Sequence, residues 1–186
     1  MQNVKQLADF IWSIADLLRG PYKQSDYGKV ILPLTVLRRL DNVMAPTRKA
    51  VLAKYESVQH FNLDDYSILL KEVSGLSFHN DSPFDFKNLH DDPEHIAQNL
   101  RAYIQGFSQN ARDIIEKFEF DKQITKLKNE KLLYQVLEEF KTVDLHPDRV
   151  SNMEMGYLFE ELIRKLAELS NETAGEHFTP REVIRL

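Results

Sequence analysis

The 186-residue chain contains no cysteine. That excludes disulfide staples, Cys-ligated zinc and thiol catalysis together. Six glycines and seven prolines are too few for collagen-like or low-complexity sequence. The glycines never stand as G-x-G, so no glycine-rich turn lets a nucleotide approach the backbone. Walker, G-x-S-x-G and H-E-x-x-H sequences are lacking too, and no catalytic residue is assigned. No apolar run nears the ~18 residues that a membrane span requires. The opening Met1-Gln2-Asn3-Val4-Lys5-Gln6 lacks the apolar stretch and cleavage site of a signal peptide. The expectation is a cytoplasmic chain with no membrane partner, long enough to bury one real core.

Metal chemistry finds little support. His90 and His95, with Asp91, Asp92 and Glu94 between them, straddle a helix start instead of sharing one helical face, and no metal ligand is assigned. Glu160 and Glu161 point about 100° apart on a helix, so they do not form an acid/base dyad.

What the chain has in quantity is helical periodicity. Val4, Leu7, Ala8, Ile11, Ile14, Ala15 and Leu18 form one buried stripe, with Asn3 as N-cap and Gly20-Pro21 as the stop. A second helix is predicted from Ser25 or Asp26 to Met44, kinked or restarted at Pro33, and a third from Pro46 to Tyr55. Asn62 is predicted to cap a helix that Gly75 ends. Residues 76–91 form the longest irregular stretch, with room for one short hairpin. Further helices follow from Asp92-Pro93, around Ile114 to Phe118, and from Asp121 to Phe140. Ser151 and Glu154 form a capping box before a long helix through Leu169. The fold class is all-α, a multi-helix bundle.

Net charge is −5, unlike an autonomous nucleic-acid binder. Its distribution is uneven. Arg19 to Lys54 holds eight basic residues against Asp26 and Asp41, a local +6 that leaves −11 for the remainder. A polyanion would favour such a face, and an ordinary solvated helix also produces one. Asp41 falls on the apolar side of the second helix and needs a partner, which Arg38 can supply three residues earlier. Arg39, roughly opposite, is predicted to be the freer cation. If this domain clamps DNA, Arg39, Arg48, Lys49 and Lys54 are the candidate DNA-contacting residues.

At the C-terminus, Thr179-Pro180-Arg181-Glu182 is a capping box with proline at the first helical position. The apolar side it starts, Val183, Ile184 and Leu186, is too short to stand alone. The expectation is a longer parent protein, divided into a helical domain over 1–170 and the start of another over 171–186.

Residues 174–183, Ala-Gly-Glu-His-Phe-Thr-Pro-Arg-Glu-Val, resemble the segment that precedes the catalytic domain in modification (M) subunits of type I restriction-modification systems. Met155 to Ile163 resembles the last long helix of their N-terminal domain. Phe10 to Gly20 and Val36 to Asp41 resemble its opening helices. The resemblance implies that the full subunit is an adenine-N6 DNA methyltransferase using S-adenosylmethionine. Its partners would be double-stranded DNA, a specificity subunit, a second methyltransferase subunit and a restriction subunit. The family's cofactor turn and its Asn/Asp-Pro-Pro-Phe/Tyr motif are absent from these 186 residues, so this segment alone is expected to be inactive. His177, Phe178, Thr179 and Pro180 correspond to the motif bordering the cofactor pocket, where a capped helix N-terminus suits a carboxylate. The helical part would clamp DNA and hold subunits. A protein-binding adaptor and a helical DNA-binding regulator are the alternatives.

Overall fold

The computed structural model describes residues 4–61 and 66–170. Helix α1, Val4–Ser13, buries Leu7, Ala8 and Ile11, as its stripe requires. The stripe then continues in a tighter 3-10 segment, Ile14–Leu18, which buries Ile14, Ala15 and Leu18. The first stripe is thus two helical pieces rather than one. Its predicted cap, Asn3, lies outside the described residues.

Helix α2, Gly28–Met44, is the axis of the molecule. Leu32, Val36 and Leu40 are buried, and so are Ile31, Leu34 and Leu37 on its other sides. A helix apolar all round must be covered all round, and α2 is packed by α1 and by four later helices. These are α6 (Gln109–Glu116), α7 (Phe120–Asn129), α8 (Leu133–Lys141) and α9 (Asn152–Ser170). Pro33 lies within α2 without a restart. The missing N–H costs one backbone bond, and the burial of the flanking residues holds the helix together.

Helix α3, Arg48–Val58, follows a short 3-10 turn at Ala45–Thr47 that contains Pro46. It packs on α4, Ser67–Ser74. Gly75 ends α4 in the left-handed conformation, at φ 69°, which glycine adopts without a Cβ clash. The expected cap, Asn62, does not begin this helix: α4 starts at Ser67 with Tyr66 at the N-cap position, and Asn62 itself lies outside the described residues.

No hairpin forms in residues 76–91. Asn80 instead makes an isolated antiparallel bridge to Phe107, beyond helix α5, Ile96–Gln105. The Asp81 N–H donates to Gly106 O at 2.9 Å, and the Ser108 N–H donates to His79 O at 2.9 Å. This close approach needs a glycine, because a Cβ at Gly106 would stand 2.6 Å from Asn80 Oδ1 and 2.9 Å from Ser82 N. The stretch pairs with a distant segment, which local turn chemistry could not reveal. Phe78 and Phe86 anchor it in the core.

The capping box before α9 is present. The Glu154 N–H donates to Ser151 Oγ at 3.1 Å, and the Ser151 N–H donates to Glu154 Oε1 at 3.3 Å. All regular structure among the described residues is helical. No helix there is long and apolar enough to cross a membrane.

Candidate nucleic-acid interface

The basic stretch runs along α2 and α3, and the two helices treat their cations differently. Arg38 and Arg39 are adjacent, so they leave α2 about 100° apart. Arg38 Nη1 pairs with Asp41 Oδ2 at 3.0 Å, as the three-residue spacing predicts. Its remaining donors reach Val143 O at 2.7 Å and Lys141 O at 2.9 Å. The guanidinium also stands over the Phe86 ring.

Asp41 is held from two further directions. The Tyr103 hydroxyl donates to its Oδ1 at 2.8 Å, and the Phe86 N–H donates to the same oxygen at 3.4 Å. Burial nevertheless raises the Asp41 carboxyl above its ordinary range, against the pull of Tyr103 and Arg38. Burial and the neighbouring Asp41 together push the Tyr103 phenol well up. Sequence reading missed Tyr103 because 62 residues separate it from Asp41.

Arg39 corrects an expectation. It is 5% exposed and is not the freer cation. Its Nη1 donates to Leu145 O and Val150 O, each at 2.6 Å, and Nη2 donates to Asn152 Oδ1 at 2.9 Å. The physical reason is that the segment from α8 to α9 supplies three acceptors to the side of α2 that a single-helix projection leaves facing solvent. Burial lowers the Arg39 pKa, and five guanidinium donors suit a cluster of carbonyls. This arginine has no face left for a phosphate.

Arg48, at the start of α3, is also largely committed. Its Nε pairs with Asp85 Oδ2 at 3.2 Å, and Nη1 donates to Phe84 O at 2.7 Å. It fastens α3 to the irregular 76–91 stretch. Lys49 is exposed and Lys54 half-exposed, and neither carries an ion pair among the described residues. Val51 and Val58 define the buried side of α3. Helical geometry places Lys49 opposite them and Lys54 on the flank. Of the four predicted DNA-contacting residues, the fold thus leaves two lysines open to solvent on one helix.

The histidines do not converge. The buried His90 ring lies edge-on to Tyr134, with Nε2 at 3.3 Å from Glu138 Oε2, whereas the exposed His95 pairs with Asp92. Among the described residues, no group of three or more His, Asp or Glu could hold a metal. Glu161 is engaged by Arg164 at 2.7 Å, which lowers its pKa. His177, Phe178, Thr179 and Pro180, assigned to the cofactor pocket, lie outside the described residues.

The chain matches a family model. Described as the HsdM N-terminal domain, it covers residues 7–140. The match runs from within α1 to the penultimate residue of α8, and therefore includes the whole basic stretch. No curated protein matches the chain.

Proposed function

From the premise that the chain belongs to the HsdM N-terminal domain family, the N-terminal domain of type I restriction-modification methyltransferase subunits, we propose that it grips the DNA backbone and helps assemble the subunits. The methyl group would be transferred elsewhere in the subunit, to adenine N6. The observation that carries the DNA reading is the exposed Lys49, with the half-exposed Lys54 on its flank, on a helix pinned by the Arg48–Asp85 ion pair. Lysines without internal partners are suited to phosphates, which position a duplex without reading its sequence. Arg48 acts here as a positioning residue.

Adenine-N6 transfer requires the base to leave the stack, at a cost of a few kcal/mol. Backbone contacts made by a helical clamp help offset that cost. S-adenosylmethionine supplies the methyl group when bound, and His177, Phe178, Thr179 and Pro180 would border its pocket, in a domain that begins within 171–186. The specificity subunit, a second methyltransferase subunit and the restriction subunit complete the proposed set of partners.

The test is charge reversal, Lys49→Glu with Lys54→Glu, in the assembled methyltransferase. Binding to target and non-target DNA is expected to weaken by similar factors, with the methylated site unchanged. Unchanged affinity for both would remove the DNA role and leave subunit docking as the function. A companion titration of these 186 residues with S-adenosylmethionine is expected to show no binding at micromolar concentration.

A further inference from the structure

Away from the basic stretch, α5, α6 and α7 converge around an open recess of about 270 Å3. Ile104, Ile115, Phe120 and Ile124 line its floor. Its rim carries Glu116, Glu119 and Asp121 against a single guanidinium, Arg101. The recess has a fixed frame. Arg101 Nε pairs with Asp121 Oδ1 at 2.7 Å, and its Nη2 donates to Thr125 Oγ1 at 2.6 Å, so α5 is tied to α7 across the mouth.

The corner between α6 and α7 is unusual. Glu119 takes the left-handed conformation there, at φ 52°, which L side chains adopt at a cost. Glycine would make the same turn more easily. The residue present instead brings a carboxylate to the rim, where Lys122 approaches it only to 3.8 Å.

Size and charge together define an occupant. The volume sits at the lower edge of the ~300–1,000 Å3 range of small-molecule pockets. One large apolar side chain, projecting from a protein surface, suits such a space as an anchor. Asp121 is spent on Arg101 and Lys122 only loosely approaches Glu119, so Glu116 and Glu119 leave the rim acidic, and complementary charge selects a cationic partner. We propose that this recess docks a basic segment of a partner protein. One large apolar residue of that segment fills the floor between Ile104 and Ile124, while flanking lysines or arginines meet Glu116 and Glu119. The proposal does not rest on the phosphate contacts of Lys49 and Lys54.

The probe is a synthetic peptide with one leucine among alternating lysines and arginines, titrated into the 15N-labelled chain. Two control peptides replace the leucine with alanine or the basic residues with glutamate. Amide shifts are expected around the α5–α7 corner for the first peptide only. Glu116→Lys with Glu119→Lys, both at exposed positions, should weaken that peptide roughly tenfold. Glu119→Gly, which eases the left-handed turn and removes one rim charge, should weaken it less. Absence of shifts at millimolar peptide overturns the proposal. So do equal binding of the acidic or alanine peptide, and shifts confined to another surface. Concentration-dependent shifts of the same amides without peptide would make a second copy the occupant, and would also overturn it.

Discussion

Helices α2 and α3 carry the same sign of charge within one short stretch of sequence, yet they use it in opposite ways. In α2, Arg38 and Arg39 turn inward and spend their donors on Asp41 and on carbonyl groups of residues 141, 143, 145 and 150. In α3, Lys49 is exposed and Lys54 half-exposed. Arg48 stands at the boundary, paired with Asp85 but not sealed off. The difference follows from packing. Past the exposed Lys29 in its first turn, no residue of α2 is exposed, so a cation there must find acceptors or unfold the bundle. Among the described residues α3 packs chiefly on α4 beyond its first turn, and its cations keep their hydration. Counting basic residues therefore measures two unrelated quantities at once, internal fastening and surface field.

Substitutions can break or sharpen this contrast, and the largest effects are expected in α2. Asp41→Ala strips the partner from Arg38 and the acceptor from Tyr103. It should cost about 3–5 kcal/mol, the range for breaking a buried pair on one side, read by urea denaturation. Arg39→Ala orphans Leu145 O, Val150 O and Asn152 Oδ1, and should cost about 3 kcal/mol. Arg39→Lys is expected to recover only part of that loss, because one ammonium cannot reproduce the fork. If either change is neutral, the inward half of the contrast fails.

A pH series isolates Asp41. Its folded pKa lies above the ordinary 3.8, so the folded chain retains a proton that the unfolded chain has released. The stability contributed by that proton is fully present below the unfolded value and is lost as pH rises through the folded one. Asp41→Asn has no titration at this site. The stability of the wild type relative to this variant should therefore grow as pH falls through that window. Asp9 and Glu161, whose pKa values are lowered, contribute equally to both proteins and cancel. Smaller effects are expected in α3. Arg48→Ala should cost about 1 kcal/mol, as a half-sheltered pair. Lys49→Ala and Lys54→Ala should each stay within about 0.5 kcal/mol in thermal unfolding.

Where local sequence controls structure, the sequence was readable. The apolar stripes marked α1, α2 and α5 through α9, and the Ser151–Glu154 box and the Arg38–Asp41 spacing are present as expected. Each depends on residues three or four positions apart. What escaped depends on distant chain. Asn80 pairs with Phe107 rather than within a hairpin, Tyr103 closes on Asp41, and Arg39 is capped by residues 145–152. A helical projection assigns the side of α2 opposite its stripe to solvent, whereas the chain between α8 and α9 covers it. Of the DNA-contacting candidates, the commitment of Arg48 to Asp85 was not legible, because 37 residues separate the pair.

The salt dependence of DNA binding by the assembled methyltransferase tests the division between fastening and field most directly. Deleting one cation that neutralises a phosphate should lower the log–log slope by ~0.9. Lys49→Ala with Lys54→Ala is expected to reduce the slope by about 1.8 while stability holds. Arg48→Ala is expected to leave the slope unchanged while stability falls. The reverse pattern, a slope that responds to Arg48 and ignores both lysines, would contradict the account.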